Sequence, residues 1–181
     1  MRKKPEIIAS TTVARSRLFC VEQLDLKFSN GVEVSYERLR GSKGGAVMIV
    51  PMADDETVLL IREYAAGVER YELGLPKGRI EAGEAPLDAA NRELMEEVGH
   101  GAHRLELLTT LTLAPAYFGH HTDVVLAREL YPKRLAGDEP EEIEVVPWRL
   151  DCLHELIAGG ECSEARSIAA LFMVRDLLAD G

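Results

Sequence analysis

The stretch Asn91-Arg-Glu-Leu-Met-Glu-Glu-Val-Gly has residue types and spacing that can do chemistry. On a helix, Glu93 and Glu97 stand one above the other, and Glu93 and Glu96 are also neighbours. Like charges at these spacings weaken a helix by roughly 0.2–0.5 kcal/mol per pair. Their position near the helix C-terminus is unfavourable too, because the macrodipole there disfavours anions. A divalent cation reverses both penalties, and oxygen ligands suit Mg²⁺ or Mn²⁺. Arg92 is at helical spacing from both Glu96 and Asp88 and can pair with either. A bare Glu-x-x-Glu-Glu is more often a solvated charged face with an arginine counterion. Here, however, the glutamates follow a glycine-rich loop, Gly74-Leu-Pro-Lys-Gly-Arg-Ile-Glu-Ala-Gly-Glu, which carries the acidic Glu84. Such a loop brings backbone groups close to a phosphate or a metal.

A helix over residues 86–98 is expected to carry the cluster. Pro86 fits the first turn, where a missing N–H costs little, and Gly99 fits a left-handed stop. Leu87, Ala90, Leu94 and Val98 form an apolar stripe at helical spacing. Upstream, residues 17–28 and 32–39 alternate around Ser29-Asn30-Gly31 and read as a hairpin. Residues 46–51 and 57–64 read as short buried strands, and 74–84 as a loop. Residues 105–113 and 123–127 are further strands, separated by Ala114-Pro-Ala-Tyr-Phe-Gly-His-His. The adjacent His120 and His121 are given no metal role. An acidic loop, Gly137-Asp-Glu-Pro-Glu-Glu, precedes a strand at 143–146. Helices near 149–158 and 163–179 follow, the second burying Ala165, Ile168, Ala169, Phe172 and Leu178. This order predicts a mixed α/β sandwich.

Bulk composition narrows the partners. The chain has 181 residues, 46% of them hydrophobic, enough for one cored domain with a small extension. Lys plus Arg number 21 against 31 Asp plus Glu, a net charge of −10. Such acidity argues against nucleic acid or an anionic membrane as partner, and a phosphate substrate would need metal ions to hold it. Cys20, Cys152 and Cys162 are scattered and odd in number, which implies reduced thiols. No apolar run follows the basic start, and no stretch is long enough to cross a bilayer. The expected location is the cytoplasm.

Gly78, five residues, Glu84, seven residues and then Arg92-Glu-Leu-Met-Glu-Glu-Val-Gly resembles the Nudix box. One position departs from it: the last, normally aliphatic, is His100, which packs rather than reacts. Pro115, fifteen residues after His100, is similar to the proline that marks the ADP-ribose pyrophosphatase branch. Thr12-Val-Ala-Arg-Ser-Arg-Leu-Phe, Phe28-Ser-Asn-Gly-Val, Leu60-Ile-Arg-Glu-Tyr, Tyr71-Glu-Leu-Gly-Leu-Pro-Lys-Gly and Gly137-Asp-Glu-Pro-Glu resemble the bacterial ADP compounds hydrolases of that branch.

The resemblance implies an α/β; Nudix α/β/α sandwich with a mixed sheet over residues 46–181. An N-terminal antiparallel β extension, residues 1–45, would serve dimerisation and the adenosine side of the pocket. It implies metal-dependent hydrolysis of the diphosphate bond in ADP-ribose, NADH and diadenosine di- or triphosphate, releasing AMP. The rivals are cleavage of nucleoside triphosphates or longer dinucleoside polyphosphates, and a non-catalytic ADP-ribose sensor. Two or three Mg²⁺ or Mn²⁺ ions are implied on Glu93, Glu97 and Glu96, with the Lys77 carbonyl and Glu141 as further ligands. Arg92 and Glu84 would orient these ligands, and Glu139 would be the base. Arg62 is the candidate phosphate contact, and Glu72 the candidate for the metal shell or a ribose hydroxyl. Tyr117 or Phe118, beside Pro115, would shape the sugar side. The implied assembly is a homodimer.

Overall fold

The computed structural model describes residues 2–41, 44–138 and 140–179. The chain forms two compact units, one of residues 1–43 with 112–121, the other of residues 44–111 with 122–181.

The first unit is a three-stranded antiparallel sheet, β1 (Glu6–Arg15), β2 (Cys20–Lys27) and β3 (Glu33–Leu39), in that order. The hairpin expected at Ser29-Asn30-Gly31 is present. Gly31 takes φ +86°, which favours glycine, and the Asn30 side chain accepts the Val32 N–H at 3.1 Å. The loop 114–119 docks on the end of β3, with Leu39 N–H donating to Tyr117 O at 2.7 Å and Gly119 N–H to Leu39 O at 2.9 Å. These bonds tie the loop to β3.

The second unit holds two sheets. One is mixed, in the order β7 (Lys77–Arg79), β4 (Ala46–Pro51), β9 (His121–Pro132), β8 (His100–Thr112). In it β4 runs parallel to β9 and antiparallel to β7. The other is antiparallel: β10 (Glu144–Arg149), β5 (Thr57–Ala65), β6 (Arg70–Gly74). The helices are α1 (Pro86–Glu93), α2 (Leu153–Ala158) and α3 (Ala165–Ala179).

Every residue of β4 is buried, and its period of two splits it between two cores. Met48 and Val50 join Leu60, Leu126, Leu156 and Leu171 in one cluster; Val47 and Ile49 join Ile61, Val125, Ala90 and Leu94 in the other. Strands thus lie between α1 on one side and α2 with α3 on the other, the α/β/α sandwich.

Three local expectations change. The 74–84 loop contains β7, which pairs Met48↔Lys77 and Val47↔Gly78, and β6 is a strand that sequence reading passed over. The α-helix ends at Glu93; residues Leu94–Val98 form a wider π turn, closed by Gly99 at φ +76° with its N–H on Leu94 O. Ala90, Leu94 and Val98 are buried as expected, but Leu87 is exposed and Met95 is buried instead. In α3 Ser167, Ala170, Leu171 and Val174 are buried, the expected Ile168, Phe172 and Leu178 pack partly buried against the same core, and Ala165 is exposed. The helix is apolar over much of its circumference, so periodicity could not single out the packed stripe.

Candidate active site

Short β7 passes directly over the carboxylate turn. The Lys77 N–H donates to Glu97 Oε2 at 2.9 Å, which binds the strand to the π turn. Gly78 leaves no side chain in the way. A methyl there would lie 1.9 Å from the Glu93 Cδ and 2.0 and 2.2 Å from its oxygens. Glu93 is 9% exposed and Glu97 only 4%. The π turn is the local reason these acids gather. An i→i+5 bond widens the last turn of the helix and re-aims its side chains, and such bulges frequently mark functional sites.

Arg92 holds the cluster together. Its Nη1 donates to Glu93 Oε1 at 2.8 Å and Glu96 Oε2 at 2.9 Å. Its Nε donates to Glu84 Oε1 at 2.9 Å, and its Nη2 to Glu84 Oε2 and Arg79 O at 3.0 Å each. Of the two partners open to Arg92 by spacing, Glu96 is the one taken. The guanidinium beside Glu84 holds that carboxyl below its ordinary range. Glu84 Oε2 also accepts the Glu81 N–H at 3.0 Å, so the glycine loop is tied to the same hub.

Glu97 behaves differently. Burial pushes its carboxyl up to about 8, opposed by Lys77 and reinforced by Glu93 and Glu63. It therefore holds a proton near neutrality that a cation would displace. Glu63, Lys77, Glu93, Glu96 and Glu97 line one cleft of about 680 Å³, walled on another side by Ala136, Gly137, Asp138 and Pro140. Glu63 was not expected from sequence. Its signal is the alternation along β5: Leu59 and Ile61 face α1, so Glu63 does too. Its partner is the Lys77 ammonium at 3.2 Å.

The donor set fits a hard divalent cation. Its side-chain donors are carboxylate oxygens, and the positive charge now beside them comes from Arg92 and Lys77. Among the described residues no three Asp, Glu, His or Cys side chains already converge as an ion cage. Loading would therefore require these side chains to move.

Several expected residues lie elsewhere. Arg62 alternates with Leu60 toward the α2–α3 side and ion-pairs Glu144 and Glu161, each at 2.8 Å. Glu72 accepts the Ser163 N–H at 2.9 Å and pairs with Arg70, anchoring the segment before α3. Neither lines the cleft. Glu141 accepts a hydrogen bond from the Tyr71 hydroxyl at 2.7 Å. Lys77 meets the acids through its N–H and ammonium. Pro115 and Tyr117 belong to the first unit, where Tyr117 is exposed. Glu139 lies outside the described residues.

Two outcomes test this geometry. Gly78→Ala places a methyl against the flexible end of Glu93, so the melting temperature should hold while activity falls about 10²-fold from the displaced carboxylate. Unchanged activity would contradict the close approach. The second concerns pH. Folded Glu97 titrates near 8 and the unfolded group near 4.5, so between these values the folded chain binds the extra proton. Its contribution to stability is complete below about 4.5 and is lost as pH rises toward about 8. In chelator, wild type should melt lower at about pH 8 than at about pH 6, and Glu97→Gln should flatten that slope. Parallel slopes would refute the shift.

Known proteins place this architecture. A model described as the NudE-type Nudix hydrolase N-terminal domain matches residues 5–38, and the NUDIX domain model matches residues 42–171. The chain is 52% identical over 176 residues to the ADP compounds hydrolase NudE of Escherichia coli strain K12, covering 97% of this chain and 94% of that enzyme. It is 28% identical to the ADP-ribose pyrophosphatase of Bacillus subtilis strain 168, over 88% and 89% of the two chains. A crystal structure of an ADP compounds hydrolase superposes with a TM-score of 0.92 at 51% identity, covering 99% of this chain and 97% of that one. The box, the sandwich that carries it and these matches across nearly the whole length agree that the chain belongs to the Nudix hydrolase family.

Proposed function

We propose that the chain hydrolyses the diphosphate bond of ADP-linked compounds, namely ADP-ribose, NADH and diadenosine di- or triphosphate, with AMP as a product. The observation that carries this is the 52% identity, over 97% of the chain, to an enzyme named for ADP compounds. Nudix hydrolases generally use divalent ions, and here Mg²⁺ or Mn²⁺, two or three per site, would be held by Glu93, Glu96 and Glu97 with the Lys77 carbonyl. When bound, such ions neutralise diphosphate charge and lower the pKa of an attacking water. The chain's own residues set up the rest. Arg92 and Glu84 hold the glutamates in register, and Glu97 gives up its proton as the site fills. We assign the base role to Glu139, whose neighbours Asp138 and Pro140 line the carboxylate cleft.

We also propose a homodimer built on the N-terminal sheet, and the cytoplasm as the location. All of β1 is exposed, and Ile7, Ile8, Val13, Val34 and Tyr36 present large apolar surface. The sheet buries little of its own, so a second copy is the natural cover. The three cysteines are free thiols, and no described helix is long and apolar enough to cross a membrane.

A panel of ADP-ribose, NADH, diadenosine polyphosphates and nucleoside triphosphates, run with each metal and with chelator, tests the activity. AMP should appear from the ADP-linked compounds, stop with chelator, and fall by about 10²-fold or more in Glu139→Gln. AMP from none of them would leave a binding protein, and preference for triphosphates would move the substrate class. Light scattering at micromolar concentration should give twice the chain mass; the single-chain mass would remove the dimer.

A further inference from the structure

The wall of the cleft between β9 and β10 has two firm ends. Before it, Leu135 N–H donates to Met95 O at 3.1 Å. After it, Ile143 is buried in the core beside α1, and Glu144 pairs with Arg62 across β10 and β5. Between these anchors, one side-chain hydrogen bond ties the described residues 136–138 and 140–142 to the rest of the unit. It is the Tyr71 hydroxyl donating to Glu141 Oε1 at 2.7 Å, across seventy positions of chain. The Tyr71 ring is itself held. It is the cross-strand partner of Tyr64 and meets it edge to face, with centroids 5.5 Å apart at 68°. Glu141 belongs to a hollow that shares Glu96, Ala136, Gly137 and Pro140 with the carboxylate cleft, so the bond is made at the seam of the two.

We propose that Tyr71 and Glu141 form a latch that positions the wall residues 136–138 and 140–142 against the carboxylate cleft, and that Glu141 acts through Tyr71 rather than as an ion ligand. The inference rests on the hydrolase reading of that cleft. Both are positioning residues: neither touches the reacting atoms. The adjacent Glu141 carboxylate raises the Tyr71 phenol above its ordinary range.

Tyr71→Phe keeps the ring on Tyr64 and removes only the donor. Its kcat on ADP-ribose should fall about three- to tenfold with KM held, the size of one hydrogen bond's contribution. Glu141→Ala should match it, and the double variant should be no slower than Glu141→Ala alone. Glu141→Gln, which retains an acceptor oxygen, should restore most of the rate. In metal-free protein, amide hydrogen exchange over residues 136–142 should quicken in Tyr71→Phe and Glu141→Ala. The latch is overturned by unchanged kcat and exchange in Tyr71→Phe, or by a change confined to KM. It is equally overturned if Glu141→Ala raises the Mg²⁺ needed for half-maximal rate about tenfold while Tyr71→Phe does not, since that makes Glu141 a ligand. If wild type releases no AMP from any compound, the function fails, and the exchange comparison still decides the latch.

Discussion

Three carboxylates that repel one another share one guanidinium. Arg92 donates to Glu84, Glu93 and Glu96 together, and everything else about the cleft follows from keeping that knot intact and half out of water. Removing one partner from a buried ionic knot leaves charge without compensation, which costs far more than an exposed ion pair is worth. The knot is also planar and forked, which arginine can serve and lysine cannot. Its arms reach both the helix that carries the acids and the loop that precedes it, so the guanidinium sets the spacing between two segments as well as balancing their charge.

The fold supplies what the knot cannot. β4 is buried on both faces and runs through the middle of the second unit. Because β7 pairs with β4, the Lys77 N–H and the bare Cα of Gly78 are brought against Glu97 and Glu93 by backbone hydrogen bonds, not by side-chain contacts. A scaffold strand that cannot shift is what allows a crowded, partly protonated carboxylate turn to keep one arrangement. The widened π turn directly follows Glu93 and carries Glu96 and Glu97.

The N-terminal sheet follows a different logic. Its strands are long and well paired, with the buried Glu22 clamped by Arg38 and Arg40, yet most of its side chains face outward. Hydrogen bonding makes the sheet; it does not give it a core. A three-stranded sheet with so little buried surface depends on further packing for its stability.

Much of this was legible in the residue order. The spacing from Gly78 to Gly99 named the acids and Arg92, the short apolar runs marked β4 and β5, and Ser29-Asn30-Gly31 marked the hairpin. These signals are local, carried by periodicity and turn chemistry within one element. Where Arg62 and Glu72 point was not written locally, because strand face and cross-chain partner are set by packing: Arg62 turns to Glu161, Glu72 to Ser163, and Glu63 takes the cleft. The β7 pairing and the Tyr71–Glu141 bond were equally invisible, since each depends on a segment distant in the chain. Sequence alone singled out the acids and Arg92 by residue type and spacing. The tertiary structure decided which of them share one cleft, because burial, strand face and long-range pairing are properties of the packed chain and not of any stretch within it.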